Sequence, residues 1–128
     1  MTAEFGSAGV SFVKASACGN DFLIIEGEQF SGNLAEFTRR LCDRRKGVGA
    51  DGVEWLYPAK DADVEARLIN ADGSPAEISG NGTRCVAASM ASQHNKERFV
   101  IRTGAGLKTC NLTSHSGNVY EFETSMGV

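Results

Sequence analysis

The segment from Thr83 to about Gln93 constrains the fold more than any other. Its run Val86-Ala87-Ala88-Ser89-Met90-Ala91-Ser92 is small or apolar on every side of a helical period. A helix without a charged face is buried all round, and small side chains let other backbone come close. Such a helix needs a shell, and the rest of the chain supplies it in strands. Val10 to Lys14 has β-type composition, and Phe22 to Glu26 opens on the apolar run Phe22-Leu23-Ile24-Ile25. Val53 to Tyr57 follows, and Val64 to Asn70 alternates Val64, Ala66 and Leu68 with Glu65 and Arg67. Pro75 to Ile78 reads as a short return strand, and Arg98 to Thr103, Leu107 to Leu112 and Val119 to Thr124 complete the set. The turns between them are hairpin-length, with Asp72-Gly73 the strongest signal. A second, amphipathic helix begins at an N-cap on Ser31 or Asn33 and places Leu34, Phe37, Leu41 and Cys42 on one face.

A chain of 128 residues is one domain's worth. Residues Met1 to Gly9 are small and polar, lack the apolar core of a signal peptide and are expected to be a flexible lead-in. The domain proper is expected over residues 10–128. A net charge of −3 leaves no basic footprint, which argues against a nucleic-acid partner. No apolar run has the length of a membrane span. Cys18, Cys42, Cys85 and Cys110 are widely spread, and neither His94 nor His115 sits at metal-ligand spacing, so reduced thiols in a cytoplasmic protein and no metal site are expected.

Three glycine- and amide-rich turns carry the candidate chemistry. Asn70-Ala71-Asp72-Gly73-Ser74 leads within a few residues to Gly80-Asn81-Gly82-Thr83-Arg84-Cys85 at the entry of the buried helix. A glycine-rich helix entry aims backbone N–H groups at one point and can cradle a small anion; equally, glycines there permit a sharp turn and nothing more. Ser79, just ahead of that entry, stands where a reacting side chain gains most from the helix dipole. It does not sit in a G-x-S-x-G elbow, and no histidine is near it in sequence. Gly47-Val48-Gly49-Ala50-Asp51-Gly52 matches G-x-G-x-x-G formally, but a helix precedes it and a strand follows. That order is the reverse of a dinucleotide site and reads as a helix C-cap and turn.

Four blocks, Gly19-Asn20-Asp21-Phe22, Gly47 to Gly52, Asn70 to Ser74 and Gly80 to Cys85, resemble the signature blocks of the diaminopimelate epimerase family, in order and at similar spacing. The resemblance runs from about Val10 to Gly127 and covers only the N-terminal half of a family member; Ser125-Met126-Gly127 is similar to the family's boundary segment. It implies an α+β fold, a mostly antiparallel, barrel-like sheet wrapped around a central buried helix. It also implies a cofactor-independent enzyme that interconverts L,L- and meso-diaminopimelate on the route to lysine and peptidoglycan. In that chemistry one cysteine from each half works on opposite faces of the α-carbon. The partners implied are a small amino dicarboxylate, the second half of the enzyme, and a possible homo-oligomer formed through the face that meets it.

By the same resemblance, Asn20, Asn70 and Asn81 match substrate-binding asparagines, and Gly80 and Asn81 supply cradle amides. Ser79 falls at the family's first catalytic cysteine, and Gly52 where some members carry a substrate-contacting glutamine. Cys85, farther down the buried helix, reads as a core thiol; Cys18 lies in the Gly19-Asn20 loop. Serine for cysteine is a large chemical change, because a thiol with a pKa of roughly 8.5 is partly ionised in a helix-dipole field and a hydroxyl is not. Three functions follow: half of a working epimerase, inactive without its other half; a binder of an amino dicarboxylate that turns over poorly; or an isomerase of the same fold with another substrate.

Overall fold

The computed structural model describes residues 2–5 and 8–125. Met1, Gly6, Ser7 and residues 126–128 lie outside them, and with them part of the expected N-terminal lead-in and most of the boundary segment Ser125-Met126-Gly127. Strands β1 (Thr2–Phe5) and β2 (Ala8–Ser11) form a two-stranded antiparallel ribbon. Then come β3 (Val13–Ala17), β4 (Asn20–Glu26), a 3-10 turn at Gly27–Gln29, α1 (Leu34–Cys42), β5 (Gly52–Tyr57), β6 (Val64–Asn70) and β7 (Pro75–Ala76). Helix α2 (Gly80–Gln93), β8 (Arg98–Thr103), β9 (Gly106–Ser116) and β10 (Val119–Ser125) complete the order.

Strands β3 to β10 make one eight-stranded sheet in the order β10-β9-β8-β6-β5-β4-β3, with β7 added against β6. Its pairs are antiparallel except β4 with β5 and β6 with β8, which run parallel. A parallel neighbour needs a crossover, and α1 and α2 lie in those two connections. Neighbouring strands are about 4.8 Å apart, so seven laid flat would span about 29 Å, against about 10–12 Å for a helix. Yet α2 touches both edge strands, β3 and β10, as well as β4, β6 and β8. The sheet therefore curls round α2. This is the mixed α+β, mostly antiparallel wrap expected from the sequence.

The curled sheet has a core on each face. Phe22 and Ile24 of β4, Leu56 of β5 and Leu68 of β6 point inward onto Cys85, Val86 and Ala87 of α2. Leu23 and Ile25, with Val53 and Trp55, point outward onto Phe37 and Leu41 of α1, where Val10 and Phe12 also pack. Burial on both faces is why β4 reads as a continuous apolar run. Asn33 caps α1 by accepting the Glu36 N–H at 3.0 Å. Thr38 of α1, fully buried, accepts the Trp55 indole N–H at 2.9 Å. The glycine-rich stretch after α1 ends the helix as expected: the Val48 and Gly49 N–H groups both donate to the Leu41 carbonyl at 2.9 Å.

Several expected boundaries move. Phe12 separates β2 from β3 where one strand was expected, and its ring is buried in the outer core. The expected loop from Ala15 to Asp21 is a two-residue hairpin turn, Cys18-Gly19, both at positive φ (49° and 85°). The return strand shrinks to Pro75–Ala76 because Ser79 already caps α2, which begins at Gly80 rather than Thr83. Strand β9 runs on to Ser116, so the last hairpin turns on Gly117 and Asn118 alone. Helix α2 is not buried all round. Its Arg84, Ala88 and Ser92 line a groove of about 540 Å³ between β3 and β10, which do not pair with each other. No helix among the described residues is long and apolar enough to cross a membrane.

Candidate functional site

Ser79 is the N-cap of α2, with extended backbone (φ −131°, ψ 126°). Its Oγ accepts the Gly82 N–H at 3.1 Å, and its carbonyl takes the Thr83 N–H at 2.8 Å and the Thr83 hydroxyl at 2.9 Å. The first four N–H groups of a helix have no partner inside it. Here the Gly82 N–H is satisfied by the Ser79 side chain, and the Thr83 N–H makes the first bond of the helix to the Ser79 carbonyl. The N–H groups of Gly80 and Asn81 have no acceptor among the described residues and point out of the helix start. Two amides at the positive end of a helix dipole form a place for one carboxylate oxygen pair.

Asn81 connects this end to a residue 61 positions away: its Nδ2 donates to Asn20 Oδ1 at 2.8 Å. Asn20 Nδ2 donates in turn to Asp51 Oδ2 at 3.2 Å, and the same oxygen accepts the Asp21 N–H at 2.9 Å. The turn after α1 is thereby tied to the hairpin turn after β3. Arg44 anchors the network with bonds to both Asp21 oxygens (3.1 and 2.8 Å) and to Asp51 Oδ1 (3.2 Å); Lys14 adds an ion pair to Asp21 at 3.3 Å. The Arg44 guanidinium holds the Asp21 carboxyl far below the usual carboxylate range. The network keeps fixed charge beside Asn20 and leaves Asn20 and Asn81 half-buried at the surface of the chain.

Asn70 is not joined to that pair by a hydrogen bond among the described residues. It closes its own turn: its N–H donates to the Ser74 carbonyl at 2.8 Å and its Nδ2 to Ser74 Oγ at 3.2 Å. Asn70 pairs in register with Gly52, and Gly52 pairs with Phe22, so the first residues of β5 bridge the Asn70 turn to the start of β4. A Cβ on Gly52 would stand 2.9 Å from the Ile69 carbonyl oxygen, so β6 crowds the side on which a longer residue would start.

The cysteines stand apart from this chemistry. Cys85 is 2% exposed, and burial pushes its thiol up to about 12, so it is a core thiol. Burial raises Cys42 to about 11 and lifts Cys110 as well. Cys18 is exposed at the hairpin turn, and all four are free of disulfides.

One residue at the site was missed by sequence reasoning. Glu54 lies on β5 between Ile24 of β4 and Leu68 of β6, its side chain on the α2 face, 3% exposed. A Cβ on Gly82 would stand 2.4 Å from Glu54 Oε2 and 3.3 Å from Ser79 Cβ, so both side chains border the same point under the helix entry. Glycine at position 82 is what lets the carboxyl come so close. Burial pushes the Glu54 carboxyl up to about 8. A helix N-terminus favours a carboxylate by about 0.3–1 kcal/mol, up to about 2. Raising a carboxyl by more than three pH units takes over 4 kcal/mol at about 1.4 kcal/mol per unit, so desolvation wins. The signal was present: one acid inside the otherwise apolar run Val53-Glu54-Trp55-Leu56, in a strand buried on both faces.

The comparisons with known proteins agree with the resemblance. The sequence profile of the family described as Diaminopimelate epimerase matches residues 12–127. A Diaminopimelate epimerase of Caldanaerobacter subterraneus is 36% identical over 91% of this chain and 43% of its own length. One of Methanothrix thermoacetophila is 43% identical over 77% of this chain and 37% of its own length. Among solved structures, a hydroxyproline epimerase from Agrobacterium vitis superposes with a TM-score of 0.59 at 19% identity, over 81% of this chain and 37% of that one. A phenazine biosynthesis protein of the PhzF family from Bacillus anthracis gives 0.60 at 17% identity, over 83% of this chain and 36% of that one. These two share the fold. The chain spans about two-fifths of the length of the relatives it matches. With that profile across almost its whole length and relatives at 36% and 43% identity, the chain belongs to the diaminopimelate epimerase family.

Proposed function

We propose that this chain is one half of a cofactor-independent epimerase that interconverts L,L- and meso-diaminopimelate. The α-proton would pass between two groups on opposite faces of the α-carbon. In this reading Ser79 is the group on one face, and a second half of the protein brings the other. The Gly80 and Asn81 amides hold the α-carboxylate, while Asn20, Asn70 and Asn81 grip the amino dicarboxylate. The observation that carries it is the cap: Ser79 sits at the α2 N-terminus with two amides left open beside it. Negative charge that develops at the carboxylate during α-proton removal is stabilised there without reorganisation.

The site is half-buried at the surface of this chain, which fits a second half closing over it; this chain alone is expected to be inactive. The test is exchange of the substrate α-proton in deuterated water by the chain supplied with a second half. Deuterium at the α-carbon supports the reading. Tight binding of diaminopimelate with no exchange, measured by calorimetry, sinks it. That outcome favours the second reading, a binder of an amino dicarboxylate, which the hydroxyl at position 79 supports because a serine is a far weaker acid than a thiol. A failure to bind diaminopimelate at all would leave an isomerase with another substrate.

A further inference from the structure

The helix cap leaves a chemical gap. An unassisted serine hydroxyl gives up its proton far less readily than the thiol this chemistry calls for, and at neutral pH it is not ionised to act as a base. The structure brings the Glu54 carboxyl and the Ser79 side chain to the same point, 2.4 Å and 3.3 Å from where a Cβ on Gly82 would stand. Glu54 is 3% exposed, forms no ion pair and no hydrogen bond among the described residues, and is aimed at the α2 entry. Taking a carboxyl almost wholly out of water without an ion pair is a costly arrangement, retained where it has a use. The Ser79 hydroxyl proton likewise has no acceptor among the described residues, since Oγ is itself the acceptor for Gly82.

We propose that Glu54 is the proton holder for Ser79: its carboxyl exchanges a proton with the Ser79 hydroxyl as that hydroxyl exchanges one with the substrate α-carbon. The inference rests on the epimerase reading and deepens it. In the protonating direction, the group from the second half has already taken the α-proton from the opposite face, leaving a carbanion. The Ser79 O–H bond breaks as the new Cα–H bond forms. The Glu54 O–H bond breaks as the Ser79 O–H bond is remade, and the negative charge ends on Glu54. The reverse direction returns each proton along the same path, so no oxidant, reductant or cofactor is needed. Glu54 acts through Ser79 and does not touch the substrate.

The surroundings suit that role. Beside Glu54, β4 presents Ile24 and β6 presents Leu68, both apolar. From α2 come Ser79, the side-chain-free Gly82 and the Cys85 thiol, which burial keeps protonated. With no cation in this set, the carboxyl keeps its proton at neutral pH, and burial pushes it up to about 8. A general acid works best when its pKa lies near the working pH.

Two measurements test the proposal, and the first is independent of the enzyme's activity. In the 128-residue chain with Cys18→Ser, a Ser79→Cys thiol reports on its neighbour. Its alkylation rate against pH should shift by about one pH unit when Glu54→Gln is added, because two groups sharing a site titrate together. A shift below about 0.3 unit, against a resolution of that order, overturns proton contact. The second is α-proton exchange by the chain paired with a second half. Glu54→Gln should slow exchange by about 10²-fold and remove the limb near pH 8 from the protonating direction. In the Ser79→Cys background the same change should slow it at least tenfold less, because the two losses do not multiply. Equal losses in both backgrounds mean a structural role and overturn the proposal. Exchange with Cys at 79 but none with Ser also overturns it. If neither exchanges, the epimerase reading falls, and the thiol titration alone decides whether Glu54 and residue 79 share a proton.

Discussion

Replacing Glu54 by glutamine should change how stability depends on pH, and the size follows from where the carboxyl sits. Its ordinary value is 4.5, and burial between Ile24, Leu68 and the α2 entry pushes it up to about 8 in the folded chain. Between these values the unfolded chain has lost this proton and the folded chain still holds it. The folded state binds more protons, so stability is highest at the acid end and falls as pH rises, by up to about 1.4 kcal/mol per pH unit. From pH 5 to pH 8 the loss is up to about 4 kcal/mol, a large part of the roughly 5–15 kcal/mol that a domain has. Other shifted groups stay out of this window. Asp21, Asp63 and their lowered neighbours are ionised in both states by about pH 5, and Cys42 and Cys85, at about 11 and 12, act only above it. Glu54→Gln should therefore flatten the profile over this range. A buried amide without a partner costs about 1–3 kcal/mol at every pH, which displaces the curve without tilting it. Urea unfolding at four pH values reads this directly, because Trp55, the single tryptophan, is fully buried beside position 54 and reports through its fluorescence. Parallel profiles for the two proteins would refute the argument that Glu54 is protonated in the folded state.

Removing the cap in Ser79→Ala should cost about 1 kcal/mol in urea unfolding, with Ser79→Asn recovering most of it, since the oxygen that accepts the Gly82 N–H is what is lost. Thr38→Val leaves the Trp55 indole N–H without its acceptor in the outer core, for an expected loss of about 1–3 kcal/mol; a change within error would show that the indole finds another partner. Asp21→Asn should lower stability at neutral pH and make acid unfolding shallower. Asp21 is held low by Arg44, so its contribution is present above its unfolded value of about 3.9 and is lost as pH falls below it. An unchanged acid limb in circular dichroism would count against that ion pair.

Much of the architecture was legible locally. A cap at Ser31 or Asn33, of which the structure uses Asn33, the apolar face of α1, β6 from Val64 to Asn70 and the small-residue character of α2 are written in side-chain period and turn chemistry, which act over a few residues. The ends of elements were less legible. Whether Pro75 to Ile78 pairs or Ser79 caps is a competition between two local hydrogen-bonding schemes, and the helix won. The open line of Arg84, Ala88 and Ser92 depends on how far a sheet curls, and no single segment carries that.

At the site, the sequence by itself placed Ser79 ahead of a helix and the glycines that open its amides, because capping is a local rule. Only the tertiary structure decided that Asn20 meets Asn81, that Asn70 closes its own turn, and that Glu54 borders Ser79. A strand's period says that Glu54 faces away from Val53 and Trp55, and nothing in that period says what stands opposite. That was decided by the parallel pairing of β4 with β5 and by the curl that presses α2 onto the inner face, both settled by burying two apolar cores at once.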